Sequence, residues 1–107
     1  MGNKIRKITP EGVVSTLTSS AAGAGLDVDA SGNLYVATGA AGSLIKKVTP
    51  DGTTTTFAGS TTGFADGLGT AAQFSSPKDV VVDPYGNVFV ADDNNYRIRK
   101  ITPAGNV

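Results

Sequence analysis

The sequence predicts an all-β chain built from short, four-stranded antiparallel units, and three observations predict it. First, the chain repeats itself. Ile5-Arg6-Lys7-Ile8-Thr9-Pro10-Glu11-Gly12 returns as Ile45-Lys46-Lys47-Val48-Thr49-Pro50-Asp51-Gly52 and again as Ile98-Arg99-Lys100-Ile101-Thr102-Pro103-Ala104-Gly105. Second, a run from Asp27 to Ala37, containing Gly32-Asn33, is matched by 81–91, containing Gly86-Asn87. Third, the segments between the turns are short and strand-like, with abundant Gly, Thr, Ser and Ala and little Leu. That composition suits strands and tight turns rather than long helices.

The Pro-x-Gly anchors lie 40 and then 53 residues apart, and the Gly-Asn anchors lie 54 apart. The inequality locates an insertion at 59–78, with only a short counterpart at 19–24. A small compensating difference falls at 38–43 against 92–96. A basic period of about 40 residues with four strands per unit is the signature of a β-propeller blade.

The elements follow in blade order, inner to outer. The inner strand is expected at 26–29 and 79–83, where Val80 to Val82 is apolar throughout, as in a strand buried on both faces. The second strand is expected at 33–38 and 87–92. Leu34 and Val36, like Val88 and Val90, share one face, opposite Tyr35 and Phe89. The third strand is expected at 4–9, 44–49 and 97–102, and the outer strand at 13–17 and 53–57. The Thr53–Thr56 run is β-branched and polar, which fits a half-exposed edge. Asp29-Ala30-Ser31-Gly32-Asn33 and Asp83-Pro84-Tyr85-Gly86-Asn87 read as turns, with Gly supplying positive φ and Asp an Asx-type bond. Thr-Pro-x-Gly turns follow the same logic. Helix is confined to a turn or two at 70–74.

These residues resemble a known family. The run Val82-Asp83-x-x-Gly86-Asn87-Val88-x-Val90-Ala91-Asp92-x-x-Asn95-x-Arg97-Ile98-x-Lys100-Ile101 is similar to the NHL repeat. The insertion Gly59-x-x-x-Gly63-x-x-Asp66-Gly67-x-Gly69-x-x-Ala72-x-Phe74-x-x-Pro77 resembles its longer bacterial form. The resemblance covers essentially the whole chain. It implies a β-propeller, in this family usually six-bladed, and no single activity. Relatives serve as protein-binding platforms, RNA-binding surfaces and sensor domains; related propellers include lactonases and lyases. The upstream unit departs from the pattern, since 38–43 replaces the Asp-x-x-Asn-x segment.

The strands run third-outer, inner-second-third-outer, inner-second-third: two blades plus one extra strand, in a single propeller segment spanning 1–107. Units run roughly 3–42 and 43–95, with a further unit starting at 96–107. Such a chain does not close a ring, and its open edges and faces need neighbours. Two completions stay open: further blades of a longer chain, or identical copies joined head to tail, three copies giving six blades. The partners expected are therefore other propeller blades.

Composition narrows the chemistry. The 107 residues carry nine basic and nine acidic groups and no net charge, so nothing pulls the chain as a whole toward nucleic acid or an anionic surface. Cys and His are both absent, which removes thiolate chemistry, the commonest general base and the commonest transition-metal ligand. No apolar run reaches membrane-spanning length, and no signal-peptide core is visible. Cellular location is not read from the sequence, although longer relatives point outside the cytoplasm.

Four features are candidates for function. Asp27 to Gly32 mimics the start of a calcium loop, but Thr38 stands where its bidentate Glu belongs, so a hairpin is expected. Lys4, Arg6, Lys7, Lys46, Lys47, Arg97, Arg99 and Lys100 all fall in third strands. They read as solubilising strand-face charge rather than a phosphate-binding stripe. The loop Asp92, Asp93, Asn94, Asn95 and Tyr96 opens on the same face as the insertion, where a protein or carbohydrate could be bound. Its bland role is to order the loop. Within the insertion, Phe74 is expected to tuck under and pin the loop, and Phe64 to stand as a possible anchor. No catalytic residue, cofactor or metal is assigned. The function expected is a non-catalytic binding or assembly scaffold. The alternative is a fragment of a lactonase-like or lyase-like enzyme with a carboxylate-lined metal site in the central channel.

Overall fold

The computed structural model describes residues 5–18, 25–39 and 42–107; for Ile5 and 16–18 it describes backbone alone. Lys4, the segment 19–24 and residues 40–41 lie outside the described residues. Among the described residues nine strands appear in the expected order: β1 Ile5–Ile8, β2 Val14–Thr18, β3 Gly25–Val28, β4 Leu34–Ala37, β5 Ile45–Val48, β6 Thr54–Ala58, β7 Pro77–Val82, β8 Val88–Asp92 and β9 Arg97–Ile101. They form antiparallel sheets of two, four and three strands, β1-β2, β3-β4-β5-β6 and β7-β8-β9, hereafter blades 1, 2 and 3. The helical expectation at 70–74 becomes a 3-10 turn at Gly69–Ala71, slightly before the predicted place, and a second 3-10 turn that was not expected falls at Asp93–Asn95, between β8 and β9.

The two turn types recur atom for atom. In the inner hairpin of blade 2, Asp29 Oδ1 accepts from the N–H groups of Ser31 and Asn33 at 2.9 and 3.0 Å, and Oδ2 accepts from Asn33 Nδ2. Asp83 does the same in blade 3 with Tyr85 and Asn87. The chain reverses through Gly32 and Gly86 at φ 87° and 88°, which a side chain would strain. In the outer turns the Gly N–H bonds back to the Thr carbonyl at Thr9, Thr49 and Thr102. Both outer hairpins carry a register shift at the same repeat position, after Ile5 and after Ile45. Equal sequence at equal spacing thus gives equal backbone.

Blades 2 and 3 share one core. Tyr35, Ala37, Ile45 and Ala58 of blade 2 meet Val80, Val88, Val90 and Ile101 of blade 3, with Ala72 and Phe74 of the insertion in the same cluster. Each fully buried Val, Ile or Phe there is worth about 1.5–3 kcal/mol. Val36 and Val48, with Leu34, form a smaller cluster on the opposite face of blade 2. Near the inner edge β3 packs on β7 so closely that a Cβ on Gly25 would stand 2.8 Å from the Lys78 carbonyl oxygen. The inner-edge amides are covered by carboxylates. Asp27 accepts from its neighbour Val28 N–H and, across the blade junction, from Val82 N–H, both at 2.8 Å, and Asp79 accepts from Val80 N–H.

One expectation is corrected. Strand β7 is buried on a single face: Val80 is 2% exposed and Val81 58%. Val80 faces blade 2, whereas Val81 faces the side where the chain places no blade.

Candidate functional site

The loop face of blade 3 is built from the insertion and the β8–β9 connection. They lie on the same face, as expected, and are bonded together: Asn94 N–H donates to the Ser75 carbonyl at 3.1 Å and Asn95 Nδ2 to the Gly63 carbonyl at 2.9 Å. At the centre is a residue pair whose roles the sequence reading did not separate from the surrounding charge. Asp92, wholly buried at the end of β8, receives Ser75 N–H on Oδ1 at 2.8 Å. Its Oδ2 receives Asn95 Nδ2 at 2.7 Å and Arg99 Nη1 at 2.8 Å.

Arg99 does not belong to a solvated stripe; it is 4% exposed. Besides Asp92, its guanidinium donates to the carbonyls of Gln73 and Ala65 and to Asp66 Oδ1, at 3.0, 2.8 and 2.8 Å. It also sits over the rings of Phe64 and Phe74, 4.5 and 5.0 Å from their centroids. A planar fork with five donors suits this arrangement, and a lysine could not reproduce it. Sequence pattern alone put Arg99 with Lys46, which holds the same repeat position in β5. What distinguishes them is company. Asp92, Arg99 and the full insertion occur together in blade 3, where blade 2 has Thr38, Lys46 and a short connection.

The five predicted loop residues therefore divide. Asp92 is out of reach, and Asn95 is half-buried and spent on two acceptors. Asp93 and Asn94 are exposed, Asp93 pairing with Lys78 at 3.5 Å. Tyr96 is 94% exposed and held left-handed at φ 55°, an uncommon state for a bulky residue. Arg97 stacks on Phe64, 4.4 Å from the ring centroid. A shallow open depression of about 240 Å³ lies beside them, lined by Ala91, Asp92, Asp93, Tyr96, Arg97 and Ile98. Phe74 is fully buried, as expected of a pin, and Phe64 half-exposed at 48%.

The calcium-loop mimic resolves into a hairpin. Asp27 is occupied by two amides, and Asp29 by its own turn together with the Tyr35 hydroxyl. Burial pushes the Asp29 carboxyl up, but the Asn33 side chain, the Asn33 and Ser31 amides and Tyr35 outweigh it and hold it below its ordinary value. The same burial and the neighbouring Asp29 push the Tyr35 hydroxyl up. Among the described residues no three Asp or Glu side chains converge as a metal site.

Comparisons with known proteins agree with the blades. The model of the NHL repeat matches residues 74–101, which span β7, β8 and β9 together with the end of the insertion. A structural-genomics protein of unknown function from Bacteroides thetaiotaomicron superposes with a TM-score of 0.76 at 26% identity, over 92% of this chain and 30% of that one. The chain thus spans less than a third of that protein's length. No curated protein matches.

Proposed function

We propose that this chain, a run of partial β-propeller blades whose third is an NHL repeat, is a non-catalytic module that joins further blades and presents the loop face of blade 3 to a protein or carbohydrate ligand. One observation carries the first half. Equivalent residues of the repeat are buried where a neighbouring blade exists and exposed where none does. Ile101 and Val48 are fully buried, and their counterpart Ile8 is 68% exposed. Val80 is 2% exposed, and its counterpart Leu26 is 48%. On the other side, Ile45 is fully buried and its counterpart Ile98 is 73% exposed. The same residue type at the same register position would not be kept apolar on both open faces unless something covers them.

The second half rests on rigidity. The Asp92–Arg99 pair fixes the insertion against the β8–β9 loop, so Phe64, Asp93, Asn94 and Tyr96 are displayed on a preorganised surface, where binding costs less ordering.

Solution mass by light scattering tests the module reading. Association into larger species is expected, together with a shift toward monomer when Leu26→Glu and Ile98→Asp charge both faces. A monodisperse, well-folded monomer that the two substitutions leave unchanged would overturn it.

A further inference from the structure

The stretch around Phe64 is built like one edge of a small sheet. Gly63 N–H donates to the Phe74 carbonyl at 2.9 Å, and the Gly63 carbonyl receives Asn95 Nδ2. Ala65 and Gln73 form an antiparallel bridge, with Gln73 N–H donating to Ala65 at 2.9 Å. Both neighbours of Phe64 are thus tied down on one side. The main-chain groups of Phe64, between them, point to the other side. Among the described residues neither its N–H nor its carbonyl meets a hydrogen-bond partner. The Phe64 side chain is not packed away either, since the residue is 48% exposed.

Arg97 stands over that ring, 4.4 Å from its centroid. The carboxylates of the loop face are already taken: Asp66 and Asp92 by Arg99, and Asp93 by Lys78. Among the described residues the Arg97 guanidinium makes no ion pair or hydrogen bond. A planar cationic fork steadied by an aromatic ring, with its donors unspent, matches one carboxylate. A further blade does not account for this pair. Phe64 rides on the insertion, which is bonded to the loop of blade 3 itself. Leu44 holds the place of Arg97 in blade 2 and stays partly exposed although blade 3 follows it.

We propose that Phe64 and Arg97 together dock an extended segment of another polypeptide that carries a glutamate or aspartate. The main chain of that segment pairs with the N–H and carbonyl of Phe64, as strand addition does at an open edge. The residue directly opposite Phe64 then projects its side chain on the same side as the ring, and its carboxylate meets the Arg97 fork. A sugar acid would engage the fork but leave the main-chain donor and acceptor of Phe64 without a partner in register. The exposed Asp66 and Asp93 limit the segment to a single acid here, because a run of acids would meet them as like charges. This proposal rests on the reading of the blade 3 loop face as a binding surface and names its ligand class.

The test titrates the ¹⁵N-labelled full-length chain with the acetylated and amidated pentapeptide Thr-Val-Glu-Val-Thr. Saturable shifts at Gly63, Phe64 and Arg97 are expected. Replacing the peptide's Glu by Gln should weaken binding about tenfold, on the order of one charge-assisted hydrogen bond. Arg97→Gln in the protein should erase the difference between the two peptides while the spectrum stays dispersed, because Arg97 is exposed and holds no other group. No saturation at millimolar Glu peptide, equal binding of the Gln peptide, or a difference that survives Arg97→Gln would each sink the site. A tri-galacturonate, or the Gln peptide with an unblocked C-terminus, that shifts Asn94 and Asn95 where the Glu peptide does not would also overturn it, yet leave the loop face standing as a binding surface. Silence of the whole loop face toward every probe would remove both readings.

Discussion

Arg99 is the residue on which the loop face depends. Removing it leaves Asp92 buried with a charge and no cation, and breaking such a pair typically costs about 3–5 kcal/mol. Arg99→Ala should therefore lower the denaturation midpoint sharply in urea, and Arg99→Lys should recover only part of the loss, since one ammonium cannot meet four acceptors. A different residue-scale prediction concerns acid. Asn87 and the turn amides hold the Asp83 carboxyl below its ordinary value, and a similar turn acts on Asp29. The Thr49 hydroxyl and Thr53 lower Asp51 to about 2. Depressed carboxyls contribute stability that is fully present above their unfolded value of 3.8 and is lost as pH falls through the folded value. Melting temperature should be flat from pH 7 to about 5 and fall below about 4. Asp29→Asn with Asp83→Asn should shallow that fall, which circular dichroism at each pH would register. Calcium should do little: with the carboxylates of Asp27 and Asp29 spent on amides, millimolar Ca²⁺ is expected to move the melting temperature by less than about 1 °C.

At the scale of the element, the strands and turns were legible in the sequence because each rests on local chemistry. Thr-Pro-x-Gly, Asp-x-x-Gly-Asn and period-two alternation placed nine strands within a residue or two of their observed ends. The burial of β7 was not legible, because Val80-Val81-Val82 does not say whether a neighbour covers Val81. Nor was the role of Arg99, since alternation along β9 assigns a face and not a partner; its acceptors come from residues 65, 66, 73 and 92, up to 34 positions away. Two contacts hold the elements in place. Phe74→Ala removes a fully buried ring and should cost about 3–5 kcal/mol, read from the chemical midpoint. Gly25→Ala puts a methyl against the Lys78 carbonyl and Asp79 Cα, at 2.8 and 2.9 Å, with backbone on one side and nowhere to yield. A loss of roughly 1–3 kcal/mol is expected.

For the whole molecule, stability is graded along the chain. The core lies between blades 2 and 3, whereas blade 1 is a hairpin whose Ile8, Val13 and Val14 are 68, 60 and 50% exposed. Amide exchange should therefore be slowest in β4, β5 and β8 and faster by orders of magnitude in β1 and β2. Equal protection of all three sheets would contradict this.

The carboxylate of Asp27 reaches across the junction to the Val82 amide of the following blade. The residue of blade 3 that corresponds to Asp27 is Val81, which has no side-chain oxygen to offer the next inner strand. The blades are thus not interchangeable parts, for all their likeness. A tandem duplication of blade 3 would leave the second copy's Val82 amide without that acceptor, whereas a duplication of blade 2 would supply the aspartate again. Each junction is keyed to its place in the series, so order, and not only number, is written into the repeats.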